Sequence, residues 1–151
     1  QKLSKWWGQK SSDSCMMKLT NRVLCRKGGY AVRRIVLDAQ YSVMTSALTM
    51  ALKQGGPDFQ VQNAGPKTKD IVKLCRSCRA DVLLLEVCPH PPRTLQDRLL
   101  LANDLRDVCP HCKTVLLVDE AEYPELATAV CLAKKDHLVD DFVYASVSPA
   151  I

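Results

Sequence analysis

The sequence has few aromatic residues, and none of its apolar stretches is long. Phe, Trp and Tyr together make up 5% of the 151 residues. This composition excludes a surface that stacks nucleic-acid bases on aromatic side chains. The apolar runs fall short of the roughly 20 residues that span a bilayer. The N-terminal end also lacks a long apolar stretch behind a basic start, so we expect no secretory signal. We therefore predict a domain that neither inserts into a membrane nor binds nucleic acid directly.

The remaining composition is that of one folded domain with an uneven charge. Apolar residues make up 47% and charged residues 25%, which excludes wholesale disorder. Residues 1–34 contain nine bases and one acid, whereas residues 35–151 contain twelve bases and fifteen acids. We divide the chain into a basic leader, residues 1–31, and a mildly acidic domain, residues 32–151. A basic leader can contact nucleic acid or a membrane surface, but a solvated tail is the simpler interpretation.

Short apolar segments alternate with amphipathic ones from Val32 onwards. The predicted strands are Arg33–Asp38, Phe59–Ala64, Asp81–Val87, Thr114–Val118 and Asp141–Val147. The predicted helices cover Tyr41–Gln54, a segment from a Thr68 cap to Cys78, Thr94–Val108 and Pro124–Lys134. Unbroken apolar strands that alternate with helices favour a parallel sheet covered on both faces. The predicted fold class is α/β, an open doubly wound sheet of five parallel strands whose last helix is missing.

Acidic residues stand at the carboxyl ends of three predicted strands. They are Asp38 on the first strand, Glu86 on the third and Asp119 after the fourth. Open parallel sheets bind their ligands at this edge. We therefore predict an acidic pocket that contains Asp38 and Asp119, with Glu86 beside it.

From about Arg34 to Pro149, the chain resembles the receiver domains of two-component response regulators. Three segments carry this resemblance: IVLDAQYSVMTSALTMAL, RADVLLLEVCPHPP, and KTVLLVDE with the later HLVDDFVYASVSP. The resemblance implies a flavodoxin-like sheet of strand order 2-1-3-4-5. It also implies cytoplasmic signal transduction, in which phosphorylation switches protein partners.

The positions that carry the receiver's phosphorylation chemistry have mostly changed. A receiver has two adjacent acids after strand 1, an aspartate phosphoacceptor ending strand 3, a hydroxyl residue after strand 4 and a lysine after strand 5. The corresponding residues here are Asp38, Ala39, Glu86, Val118 or Asp119, and Ala145. A lost carboxylate weakens a Mg²⁺ site. Without the lysine and the hydroxyl, no side chain clamps or reads a phosphoryl group.

We therefore expect a pseudo-receiver that is not an enzyme and needs no cofactor or metal. Its partner would be another protein or an output domain, a DNA-binding output domain being one candidate and a homodimer another. Glu86 at the phosphoacceptor position could imitate a permanently phosphorylated residue. The alternatives are an active phosphorelay receiver that uses an atypical acid, or a zinc-stabilised or thiol-redox module on the same fold.

Two CxxC pairs underlie the last alternative. The chain has eight cysteines, and Cys75, Cys78, Cys109 and Cys112 form the pairs. Paired CxxC motifs are typical of a Cys₄ zinc site. However, the first pair continues an apolar helical stripe, and free cysteine packs as a small hydrophobe. The second pair follows a helix, whereas a reactive cysteine usually begins one. We expect all four to be reduced and metal-free.

The missing last helix leads to a prediction about the leader. Without that helix, one sheet face would expose a large apolar patch, which monomers rarely tolerate. A short helix carrying Met16, Leu19 and Val23 would cover it, and Gly28–Gly29 would let the chain turn into the first strand. The rivals are a dimer that buries this face, a disordered leader, and a last helix that these 151 residues do not include.

Overall fold

The computed structural model describes residues 33–40, 46, 49–50, 54, 59–65 and 70–144. The strands are β1 Arg33–Asp38, β2 Phe59–Asn63, β3 Val82–Val87, β4 Lys113–Val118 and β5 Asp141–Tyr144. The helices are α1 Ile71–Cys78, α2 Leu95–Val108 and α3 Pro124–Lys135. Ser46, Thr49, Met50 and Gln54 also have helical backbone, within the helix predicted after β1. The leader, Thr68 and Ala145 lie outside the described residues.

All five strands are parallel, and their order in the sheet is β2-β1-β3-β4-β5. The predicted fold class and strand order are therefore confirmed. Asp38 pairs with Leu85 in the register of β1 and β3, and Glu86 pairs with Leu117 in the register of β3 and β4. The carboxyl ends of these three strands consequently meet at one edge of the sheet.

The sheet has an apolar core on each face. Successive residues of a strand point to opposite faces, which is why the unbroken run in β3 is divided between two cores. Leu83 and Leu85 belong to the first core, with α1, α2 and α3, whereas Leu84 belongs to the second. The second core is built from Ile35, Leu37, Phe59, Val82, Leu84, Val115, Leu117 and Val143.

Side-chain caps mark where the helices α1 and α2 begin. The prediction that Thr68 begins the second helix is wrong, because α1 begins after Asp70, whose side chain accepts a hydrogen bond from the Lys73 amide at 2.9 Å. Aspartate caps a helix as well as threonine does. Thr94 begins α2 in a reciprocal capping box with Asp97. Within the described residues, no helix has the length and apolar character to cross a bilayer.

Candidate functional site

Asp38, the last residue of β1, is held by two arginines. Arg98 Nη1 lies 2.8 Å from Asp38 Oδ2, and Arg93 Nη2 lies 3.2 Å from Asp38 Oδ1. Each carboxylate oxygen therefore accepts a hydrogen bond from a guanidinium. Asp38 is 6% exposed, so the pair with Arg98 is sheltered from solvent. We call Asp38, Arg93 and Arg98 the arginine clamp.

Arg98 joins the carboxyl ends of two neighbouring strands. Its Nε donates to the Glu86 carbonyl oxygen at 2.8 Å, and its Nη2 lies 3.5 Å from the Asp38 carbonyl oxygen. Arg98 is 3% exposed, and this burial lowers its pKa, although Asp38 opposes that shift. A guanidinium in contact with a carboxylate remains charged at neutral pH. Arg98 is therefore a buried cation that ties the end of β1 to the end of β3.

The first turns of α2 direct Arg98 into the crevice. Arg98, Ala102 and Leu105 are the buried residues of this helix, and their spacing places them on one face. The sequence prediction missed Arg98, although a basic residue on an apolar helical stripe was a usable signal. Arg93 was also missed, and no periodicity marks it. It lies in a loop closed by the bond from the Cys88 amide to the Arg93 carbonyl oxygen, 2.9 Å long.

Glu86 ties the third strand to the loop after the first. Its Oε1 accepts a hydrogen bond from the Gln40 amide at 3.0 Å. Gln40 directly follows Ala39, the residue at the second acid position of a receiver. The Glu86 carboxylate is therefore engaged by backbone at the place where a receiver would carry its phosphoacceptor.

Asp119 is engaged by its own turn. Its Oδ1 accepts hydrogen bonds from the amides of Ala121 and Glu122, at 3.1 and 3.0 Å. The structure brings Asp38 and Glu86 together around Arg98, while the Asp119 side chain caps its own turn. That Asp119 shares an acidic pocket with Asp38 stays a prediction. Val118, the residue before it, is fully buried in the first core.

The residues at this edge do not fit a Mg²⁺ ion. Both oxygens of Asp38 are engaged by guanidinium groups, and Ala39 offers no side-chain oxygen. Mg²⁺ needs oxygen ligands in octahedral geometry, whereas Arg98 adds positive charge beside the single carboxylate. In the part of the chain that the structure describes, no three His, Cys, Asp or Glu side chains are grouped to hold a metal.

The CxxC cysteines lie at the opposite edge of the sheet. Cys75, Cys109 and Cys112 are buried in the first core, and Cys78 packs against it. The six cysteines within the described residues are free thiols. The packing of the first pair along an apolar stripe agrees with the interpretation that these cysteines belong to the core.

Comparison with solved structures shows a receiver-domain fold. A DNA-binding response regulator of the LuxR family from Staphylococcus aureus matches at 18% identity and a TM-score of 0.54, covering 76% of this chain and 89% of that one. The REC domain of AraT, a response regulator from Geobacillus stearothermophilus, matches at 18% identity and 0.56, covering 79% and 83%. The CheY-like protein TadZ from Pseudomonas aeruginosa PAO1 matches at 21% identity and 0.56, covering 77% and 91%.

At these low identities, the TM-scores of 0.54 and 0.56 establish the fold alone. No protein-family model matches the sequence, and none of the curated proteins matches it. The fold expected from the resemblance is therefore confirmed by structure.

Proposed function

We propose that this domain is a cytoplasmic pseudo-receiver, a signalling module that takes no phosphoryl group and acts through contacts with a protein partner or an output domain. The observation that carries the proposal is the buried ion pair between Arg98 and Asp38, 2.8 Å long. It places a permanent cation of the protein on the carboxylate that would hold Mg²⁺ in a receiver.

The arginine clamp opposes the binding of the metal ion that phosphoryl transfer needs. Transfer to a carboxylate needs a metal ion that neutralises the developing charge on the phosphoryl oxygens. Arg98 occupies Asp38, and it is anchored to the Glu86 carbonyl oxygen as well, so it cannot swing out without breaking several hydrogen bonds. Glu86 is itself engaged by the Gln40 amide. The absence of a hydroxyl at Val118 and of a lysine at Ala145 supports the same conclusion.

The clamp also suggests how such a module would work. A receiver changes partners when a phosphoryl group shifts the balance between two conformations. Here Arg98 and Glu86 already link the ends of β1 and β3, so we infer that the domain presents one constant surface. The response regulators among its structural neighbours, one of them described as DNA-binding, support an output domain as the partner. This role requires no catalytic activity.

The decisive experiment combines a phosphodonor with a metal titration on the full chain. We expect that acetyl phosphate adds no phosphoryl mass and that Mg²⁺ and beryllofluoride give no saturable signal, because Asp38 is already paired. A phosphoryl adduct that disappears in Glu86→Gln would contradict the proposal and support an active receiver with an atypical acid.

A matched pair of variants isolates the contribution of Arg98. The triple variant Ala39→Asp, Glu86→Asp, Ala145→Lys supplies the missing receiver groups but keeps the arginine clamp. The quadruple variant adds Arg98→Leu, which frees Asp38 Oδ2 and leaves only the longer contact of Arg93 to Asp38 Oδ1. We expect saturable Mg²⁺ binding in the quadruple variant only. Equal Mg²⁺ binding in the triple variant would show that Arg98 does not block the site.

A further inference from the structure

An open groove lies at the carboxyl edge of the sheet, between two loops. One loop follows β3, and the other runs from the end of β4 into the first turn of α3. The groove has a volume of about 610 Å³, which is within the range of pockets that enclose small ligands. We call it the acidic groove, and its lining residues are Pro89, Glu122, Tyr123, Pro124, Glu125 and Leu126.

The apolar part of the groove consists of two proline rings, an aromatic ring and a leucine side chain. Pro89 and Pro124 are exposed, whereas Tyr123 and Leu126 are half-buried. An indole packs well on such rings, because it buries a large apolar area and keeps its N–H available for a polar partner. The groove therefore fits a partner that supplies a tryptophan side chain.

The rim of the groove carries negative charge. Glu122 and Glu125 are both exposed, and within the described residues no base forms an ion pair with either of them. Residues 114–133 contain four acids and no base. The amino-terminal end of α3 adds only about half a positive charge, and Glu125 in its first turn offsets this. A partner of the groove should therefore be basic.

The first ten residues of the chain have both properties. Residues 1–10, QKLSKWWGQK, contain three lysines, no acid and both tryptophans of the chain. Trp6 and Trp7 stand between Lys5 and Lys10, so positive charge flanks the large apolar rings. We call residues 1–10 the tryptophan segment. Since it belongs to the same chain, its local concentration at the groove does not depend on the protein concentration.

The intervening residues are long enough to bring the tryptophan segment to the acidic groove. The six-residue strand β1 begins at Arg33 and rises by about 20 Å to the carboxyl edge. The groove lies beside β3 and β4, which are about 5 and 10 Å from β1 across the sheet. Residues 11–32 can span at most about 70 Å. This length also leaves room for the short helix predicted in the leader.

We propose that the acidic groove is the docking site of the tryptophan segment of the same chain. The indole rings pack on the two prolines and Tyr123, and the lysines lie near Glu122 and Glu125. Exposed ion pairs contribute little to affinity, so the buried rings hold the segment and the charges select its place. This contact goes beyond the proposed function and does not depend on the arginine clamp.

Tryptophan fluorescence of the full chain tests the docking, because Trp6 and Trp7 are its only tryptophans. We expect emission at a shorter wavelength than in the urea-unfolded chain, and protection from quenching by acrylamide. The variant Glu122→Lys, Glu125→Lys should weaken the contact roughly tenfold. It should therefore shift the emission to a longer wavelength and remove the protection.

Two further variants separate the groove from the general charge of the domain. Adding Lys5→Glu and Lys10→Glu to the groove variant exchanges the charges of the two partners and should restore both signals. The control Asp104→Lys, Asp107→Lys makes the same change of charge, at the same spacing, at exposed positions of α2. It should leave emission and quenching unchanged. An equal shift in this control would overturn the proposal.

Cross-linking with a carbodiimide locates the contact in the wild-type chain, so the result does not depend on how a variant folds. The reagent joins a lysine to a carboxylate through an amide bond, with loss of water. Trypsin releases Glu122 and Glu125 together in the peptide Thr114–Lys134. We expect a monomeric product in which Glu122 or Glu125 is linked to Lys5 or Lys10. The absence of this link, or its confinement to a dimer, would contradict docking within one chain.

Discussion

At the scale of single residues, Arg98 decides the chemistry of the crevice. A buried ion pair contributes little net stability, because the desolvation of both charges offsets their attraction. Its effect is larger when one partner is removed, since the other charge is then buried without compensation. Arg98 and Asp38 are both almost fully buried, so this asymmetry should be measurable.

A double-mutant cycle on Arg98 and Asp38 tests the pair. Arg98→Met leaves Asp38 with Arg93 alone, and we expect it to lower the free energy of unfolding by about 3 kcal/mol. Asp38→Asn should have a comparable cost because it leaves the Arg98 cation buried. The double variant should cost less than the sum of the two, with a coupling of about 1–3 kcal/mol in urea unfolding.

Arg93→Met provides the graded control for this cycle. The Arg93 side chain is 19% exposed and its bond to Asp38 is longer, at 3.2 Å, so it should cost about 1 kcal/mol. Additive effects of Arg98→Met and Asp38→Asn would contradict the assignment of Arg98 as the principal partner of Asp38.

The acidic residues of the site could be predicted from the sequence, whereas the arginines that pair with Asp38 were missed. Asp38 and Glu86 follow from the positions of the strands, because parallel strands bring their carboxyl ends together. The position of Arg98 on an apolar helical stripe is a signal of burial, but its partner can be predicted only when it is known which face of α2 meets the sheet. Whether a carboxylate is open or paired depends on tertiary contact, as the sequence separation of 60 between Arg98 and Asp38 shows.

At the scale of elements, the α2 helix owes its position to its first turn. Thr94 Oγ1 accepts a hydrogen bond from the Asp97 amide at 3.2 Å, and the Asp97 side chain reaches back to the Thr94 amide at 3.2 Å. The cap places Arg98 one turn later, facing the crevice. Helix capping and the arginine clamp are thus parts of one local structure.

We predict that Thr94→Ala lowers the free energy of unfolding by about 1 kcal/mol, the usual cost of removing an N-cap side chain. Asp70→Ala should have a similar cost through α1, since the Asp70 carboxylate caps the Lys73 amide. Thr128→Ala on α3 is the matched control, because its exposed hydroxyl bonds only within its own helix, to the Pro124 carbonyl oxygen. Urea unfolding would contradict the capping assignment if all three variants cost the same.

Elements were more predictable than their ends. The strands β3 and β4 were recognisable because both of their faces are buried, which requires unbroken apolar runs. The start of α1 was placed at Thr68 instead of Asp70, because both Thr68 and Asp70 have side chains that can cap a helix. Caps are chosen by the packing of the helix that follows, and periodicity does not report this choice.

At the scale of the whole molecule, the two faces of the sheet differ in which helices pack against them. The three helices α1, α2 and α3 all contribute to the first core and none of them contributes to the second. Yet the second core is closed to solvent, since Leu37 is 0%, Leu84 2% and Leu117 1% exposed. The prediction that the leader covers this face concerns residues outside the described ranges and stays a prediction.

Deletion of residues 1–29 tests it. If the leader covers the second core, the deletion exposes apolar surface, and about 150 Å² of such surface would cost about 4 kcal/mol. We expect the Tm to fall by roughly 10 °C, or the shortened chain to dimerise and bury the face again. In the full chain, Met16→Asp with Leu19→Asp should reproduce the fall, whereas Lys18→Asp, between them in sequence, should not. An unchanged Tm together with an unchanged monomer mass in light scattering would show that the leader does not cover this face. Exposure of that much apolar surface would otherwise lower the Tm or cause dimerisation.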